Sequence, residues 1–208
     1  DGVVPDLMAL GKGFGGGIFI FMFFRGFSAA SFAQEGRRRR RGGGRGQGPP
    51  ADFNAFLKIG EDGRITGFTG KVEMGQGVRT SLVQMLAEEM DAAVDAVDIV
   101  MGDTDVCPWD MGTFGSMSTR IFGPLLQKAG AEARAVLIAL AADELKVPRE
   151  QLGTENGEVF DREDPTKRRS YAQLAKGKRI ERVVDGAVSL KPPVEHKIVG
   201  HDRRRTAG

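Results

Sequence analysis

Cysteine is almost missing from this chain: Cys107 stands alone among 208 residues. One thiol closes no intramolecular disulfide and builds no cysteine-rich metal or iron–sulfur site. Histidine is nearly as scarce. His196 and His201 lie five apart with Asp202 beside the second. No third ligand and no helix or hairpin converges them, so solvated loop histidines outweigh a metal pair. Long apolar runs are lacking too, since residues 18–24 make a stretch far shorter than the roughly 20 residues a membrane-spanning helix needs. A net positive balance is missing from most of the chain. Residues 1–50 hold eight Lys/Arg against three Asp/Glu, and residues 51–208 hold 22 against 25, so the net +2 belongs to the N-terminal quarter. A mildly acidic body offers no basic face, which argues against nucleic acid as its partner.

Glycine, by contrast, is abundant, with 30 residues. "GGGIFIFMFF" is an apolar run followed by "SAASFAQE", in which Ser31-Phe32-Ala33 offers the small residues of a signal-peptide cleavage site. Residues 1–34 therefore read as a signal-like segment, with a periplasmic or membrane-associated location if it functions and a cytoplasmic one otherwise. The other reading of the run is a buried apolar strand. "GRRRRRGGGRGQGPP" then buries no apolar area and reads as a linker over 35–51, with an RNA-binding or anionic-membrane tail as the alternative.

A folded body follows over 52–186. Phe53, Ala55, Leu57 and Ile59 alternate, Asp62-Gly63 offers a turn, and "ITGFTGKVEM" returns as a second strand. Residues 78–91 place Leu82, Met85, Leu86 and Met90 on one helical stripe, with Glu88, Glu89 and Asp91 on a solvated face. "AVDIVMGD" reads as a third strand. Ser118 or Thr119 caps a long helix ending near Leu145, ahead of Pro148. A hairpin at Asn156-Gly157 and a short helix opened by Ser170 complete the body. The expected class is α+β, a mixed sheet with hairpins covered by two main helices. Residues 187–208 read as a proline-marked connection to a further module.

Several groups of residues carry possible chemistry. "PDLMALGKGFGGG" resembles the lysine motif of class III aminotransferases, with Lys12 as the pyridoxal phosphate lysine. Asp103, Asp105 and Asp110 lack the glycine and bidentate glutamate of a calcium loop, which leaves turns with Asx hydrogen bonds. The strongest group joins "EMGQG" to "GTFGSMSTR". Both are glycine-rich loops entering helices. Gly75 and Gly77 permit close approach of a ligand while the first helix amides point outward for an anion, and Gln76, Thr113, Ser116, Ser118 and Thr119 add neutral polar groups.

Residues 60–120, with "EMGQG", "VMGDTD" and "GTFGSMST" in that order, resemble the molybdopterin-binding large subunit of the xanthine dehydrogenase/aldehyde oxidase family, in the branch of the isoquinoline 1-oxidoreductase beta subunit. The resemblance implies the N-terminal part of a molybdenum hydroxylase acting on aldehydes or N-heterocycles, with molybdopterin cytosine dinucleotide as cofactor and a [2Fe–2S] small-subunit partner. It implies cofactor contacts at Gly75, Gln76, Gly77, Thr113, Phe114, Gly115, Ser116, Ser118 and Thr119, with Gln76 donating to the apical oxo group or the pterin. The molybdenum would be held through the pterin rather than by protein ligands. The family's catalytic glutamate maps onto no residue of this chain, so no catalytic residue is carried over.

Overall fold

A computed structural model describes residues 16–22, 55–107, 110, 112–183 and 188–202. Its main sheet has five strands in the order β4-β3-β2-β1-β8. Strand β1 is Gly17–Met22, β2 Ala55–Ile59, β3 Ile65–Thr69, β4 Val97–Met101 and β8 Arg179–Val183. The expected β2–β3 hairpin is present, with Leu57 opposite Gly67 and Ile59 opposite Ile65. Its turn closes through Gly63 N–H to Gly60 O at 3.0 Å.

The apolar run read as a signal-like segment is instead β1. It pairs antiparallel with β2 and parallel with β8, so the body does not begin at residue 52. Ile18 and Ile20 face the core with no exposure. Phe19 on the other face is equally covered, with Lys58 and Arg179 each 5.9 Å from its ring centroid. A strand buried on both faces has no polar alternation, which is why its composition matches a signal core. The cleavage site at Ala33, the arginine tract and Lys12 lie outside the described residues.

Two helices cover one face of this sheet: α1, Val78–Met90, and α2, Gly123–Leu145. Their contact is close because Gly130 has no side chain; a Cβ there would meet Glu89 Cβ at 3.0 Å and Leu86 Cδ1 at 3.1 Å. The start of α2 differs from expectation. Neither Ser118 nor Thr119 caps it; a π-helical turn over Ser118–Phe122 leads in, and Pro124 sits in the first turn, where its missing N–H costs nothing.

A second sheet, β5-β6-β7, comprises Leu152–Glu155, Glu158–Asp161 and Arg168–Ser170. Asn156 and Gly157 turn its hairpin with φ of 49° and 77°, the geometry an Asn-Gly pair favours. Ser170 opens α3, Tyr171–Ala175, through a capping box with Gln173, as its sequence suggests. The fold is thus α+β with a mixed sheet and two main helices.

The acidic residues of α1 do not face water. Glu88 and Glu89 are buried at 2% and 0% exposure, because a C-terminal strap, residues 188–202, lies back along the helix. Glu88 Oε2 accepts the N–H groups of Lys197, Ile198 and Val199 at 3.0, 2.6 and 2.9 Å. Glu89 Oε2 accepts Lys191 N–H, and Asp91 pairs with Lys191 and Arg134. The connection expected over 187–208 therefore docks on the body along its described part. Main-chain donors offset the cost of burying a carboxylate, fully enough at Glu88 to keep it ionised, and such a partner about 100 residues away leaves no local trace.

Candidate functional site

Topology brings the two glycine-rich loops together. β3 and β4 run parallel, Ile65 beside Val97 and Thr69 beside Met101, so their carboxyl ends share one edge of the sheet. The chain leaving β3 forms the loop into α1, and the chain leaving β4 forms the loop into the π-helical turn. Gly102 N–H donates to Thr69 O at 3.0 Å and ties the two exits.

Between these loops lies an open cleft of about 680 Å³. Met74, Gln76, Val78 and Ser81 make one wall, and Thr113, Phe114, Ser116, Ser118, Thr119 and Arg120 the other. Six of the nine residues singled out by resemblance, Gln76, Thr113, Phe114, Ser116, Ser118 and Thr119, thus converge on one cavity. Gly75, Gly77 and Gly115 shape its loops, with φ of 92°, 77° and 61°. Ser116 also takes a left-handed conformation, φ 55°, and strain of this kind in a non-glycine residue is often found at ligand-binding loops. A π-helical turn is likewise frequent at functional sites.

The walls are pinned to each other chiefly by Lys71, which the sequence did not single out. Lys71, nearly fully buried, donates from Nζ to Asp110 Oδ1 at 2.8 Å and to Gly112 O at 2.7 Å. Thr113 Oγ1 accepts the N–H of Val72 at 2.8 Å. Asp110 Oδ1 also accepts Gly112 N–H, and Asp103 Oδ1 accepts Asp105 N–H, which are the Asx turns expected of this acidic loop. A lysine directly after a strand reads as solvated unless its carboxylate partner is known. Arg120 closes the "STR" motif and reads, from sequence, as an ordinary exposed cation.

One expectation is overturned. Three of the amides at the turn into α1 are not left for an external anion: Glu73 Oε1 accepts Gly75 N–H and Gly77 N–H at 2.8 and 2.9 Å, and Oε2 accepts Arg79 N–H at 2.9 Å. Gln76 is also engaged within its loop, Oε1 accepting from Met74 N–H and Nε2 donating to Val72 O at 3.0 Å. A carboxamide nitrogen carries two hydrogens, and one of them suffices for Val72.

Other candidates do not assemble. Among the described residues no group of three His, Cys, Asp or Glu side chains converges as a metal site, and His196 and His201 belong to the strap. Burial pushes the Cys107 thiol up, which disfavours its thiolate form.

A mixed sheet whose parallel strands end at a polar cleft makes this an α+β domain with its candidate site at the carboxyl ends of β3 and β4. The chain belongs to the family of the molybdopterin cofactor-binding domain, which it matches over residues 10–198. It is 36% identical over 150 residues to a subunit of the nicotinate dehydrogenase of Pseudomonas putida, covering 72% of this chain and 12% of that protein. Against the beta subunit of isoquinoline 1-oxidoreductase of Brevundimonas diminuta it is 35% identical over 116 residues, covering 52% of this chain and 15% of that one. The reconstituted CO dehydrogenase of Oligotropha carboxidovorans has a similar structure, with a TM-score of 0.53 and 28% identity over 60% of this chain and 16% of the other. The chain spans about an eighth of the length of the first of these relatives.

Proposed function

We propose that the cleft holds the organic part of a molybdopterin cofactor, in the cytosine dinucleotide form, and that the chain is the cofactor-binding portion of a molybdenum hydroxylase large subunit. The observation that carries this reading is the convergence of Gln76 with Thr113, Phe114, Ser116, Ser118 and Thr119 on one cavity. The donor set fits such a group. Hydroxyls and a carboxamide suit a pterin and its phosphates, and Arg120 adds one cation. Among the described residues the lining holds no thiolate, imidazole or carboxylate to compete for the metal.

In this reading Gln76 and the hydroxyls of the second wall hold and orient the cofactor, while Met74 and Phe114, both exposed on the rim, offer it apolar contact. When bound, the group supplies the redox chemistry by which the complete enzyme hydroxylates an aldehyde or N-heteroaromatic substrate with oxygen from water, its electrons passing to a [2Fe–2S] small subunit. The role of Gly17–Met22 as a central strand also supports a mature chain that keeps this segment rather than losing it after Ala33.

The test is the pterin and molybdenum content of the protein purified from molybdopterin-making cells. Gln76→Ala and a Ser118→Ala/Thr119→Ala double variant should each lower content about tenfold, the worth of one or two well-formed hydrogen bonds, with circular dichroism unchanged. Wild-type content in both variants would refute the assignment.

A further inference from the structure

We propose that Glu73 is the positioning residue of the cleft's first wall. Its carboxylate fills the anion site at the start of α1 from within the chain, and so fixes the direction in which Gln76 is presented. The proposal rests on the cofactor reading above and adds to it the residue on which Gln76 depends.

Three main-chain donors converge on this one side chain. Gly75 N–H and Gly77 N–H reach the same oxygen, Oε1, at 2.8 and 2.9 Å, and Arg79 N–H reaches Oε2 at 2.9 Å. Gln76 lies between the first two. With the amides on either side of it turned toward one atom, the rotation of its own Cα–Cβ bond vector is set. The glycines are needed for this turn and not for space: Gly75 has φ 92°, yet a Cβ there would meet nothing within 4 Å. Gly77 serves the same turn with φ 77°. The loop has consequently been shaped around the carboxylate.

Charge gives the arrangement a functional consequence. A helix start carries partial positive charge and attracts anions, and here that charge is answered by Glu73. The first wall therefore recruits no phosphate through α1; what it shows the ligand is the neutral carboxamide of Gln76. That carboxamide is steadied in turn by Met74 N–H and Val72 O, and Val72 is tied to the opposite wall through Thr113.

Glu73→Ala and Glu73→Gln test the proposal, read by retained pterin per chain and by the backbone amide NMR shifts of Gly75, Gly77 and Arg79. In Glu73→Ala the amides lose their acceptor, and pterin retention should fall about tenfold or more, since hydrogen bonds to a charged group are among the stronger ones. Sodium formate, a carboxylate small enough to occupy the vacated place, should restore both readouts, whereas sodium chloride at equal ionic strength should not. Wild type should ignore formate. Glu73→Gln keeps one acceptor oxygen and should shift Arg79 N–H while largely sparing Gly75 and Gly77, with a smaller loss of pterin.

Wild-type retention in Glu73→Ala, or amide shifts that formate leaves unmoved, would overturn the proposal. If Glu73→Ala fails to fold, Glu73→Gln decides it, and unchanged Arg79 shift and retention would overturn it. A wild-type protein that holds no pterin would sink the cofactor reading instead. Formate-dependent recovery of the three amide shifts then still upholds Glu73 as the residue that orders the loop, and its absence still overturns that role.

Discussion

The ammonium of Lys71 lies 2.8 Å from the carboxylate of Asp110, 39 residues further along the chain, and each side chain is only 6% exposed. This pair, with the bond from Lys71 to Gly112 O, joins the two walls of the cleft across the ends of β3 and β4. Removing one partner of a buried ion pair leaves the other charge unpaired, at a cost of about 3–5 kcal/mol. Lys71→Met should lower stability in denaturant titration by that order, and the Lys71→Met/Asp110→Asn double variant should recover part of it. A double variant no better than the single one would show that the pair is not coupled.

Glu88 gives the strap a dependence on acid. Burial opposes its ionised form, but the N–H groups of Val199, Ile198 and Lys197 and the charge of Lys191 outweigh burial and hold its carboxyl below the ordinary 4.5. A depressed folded-state value means that the stabilisation is complete above 4.5 and is lost as the pH falls through the lowered value. Glu89 has the opposite sign. Burial pushes it up, more than Lys191 N–H and the charges of Arg134, Lys191 and His196 pull it down, so acid relieves its burial penalty. Amide exchange protection at Lys197, Ile198 and Val199, corrected for intrinsic rates, should therefore fall in acid. At neutral pH Glu88→Gln should reduce it by the worth of a charged hydrogen bond, about 1.5–3 kcal/mol, and Glu89→Gln should leave it intact.

Gly130→Ala is expected to destabilise the protein, although alanine is the better helix former by up to about 1 kcal/mol. The new Cβ would press on Glu89 Cβ at 3.0 Å and Leu86 Cδ1 at 3.1 Å, both fully buried. Overpacking of that kind costs about 1–3 kcal/mol. Thermal unfolding decides the sign, and a raised melting temperature would mean that α1 and α2 can separate freely.

Tyr171 donates its hydroxyl to Met90 O at 2.6 Å, at the last residue of α1, while only 1% exposed. Burial pushes the phenol above its usual range, so it stays a donor through alkaline pH. Tyr171→Phe leaves a buried carbonyl without that donor and should cost about 1–3 kcal/mol. Equal stability of the two proteins would show that Met90 O finds another donor.

Local signals were readable where one segment contains its own cause. Leu57 and Ile59 alternate with Lys58, Asn156-Gly157 adopts the positive φ that its turn demands, and Ser170 finds Gln173 three residues on. The order "EMGQG" then "GTFGSMSTR" carried the family resemblance and made the two loops candidates for one site, and the structure brings Gln76 to the same cleft as Thr113, Phe114, Ser116, Ser118 and Thr119. Reading failed where the deciding partner was remote. Glu88 and Glu89 follow the polar side of a helical stripe, and nothing within α1 tells of Lys191 or Val199.

From its sequence alone this protein has its hairpins, its two main helices and the motifs of its family, because periodicity, turn chemistry and motif composition act over a few neighbouring positions. Only the tertiary structure decided that residues 17–22 form a strand within the sheet, that the acidic face of α1 is buried, and that Glu73 fills the anion site at the helix start. Each of those outcomes turns on which groups are left to satisfy one another once water is excluded, and that is a property of the packed chain as a whole.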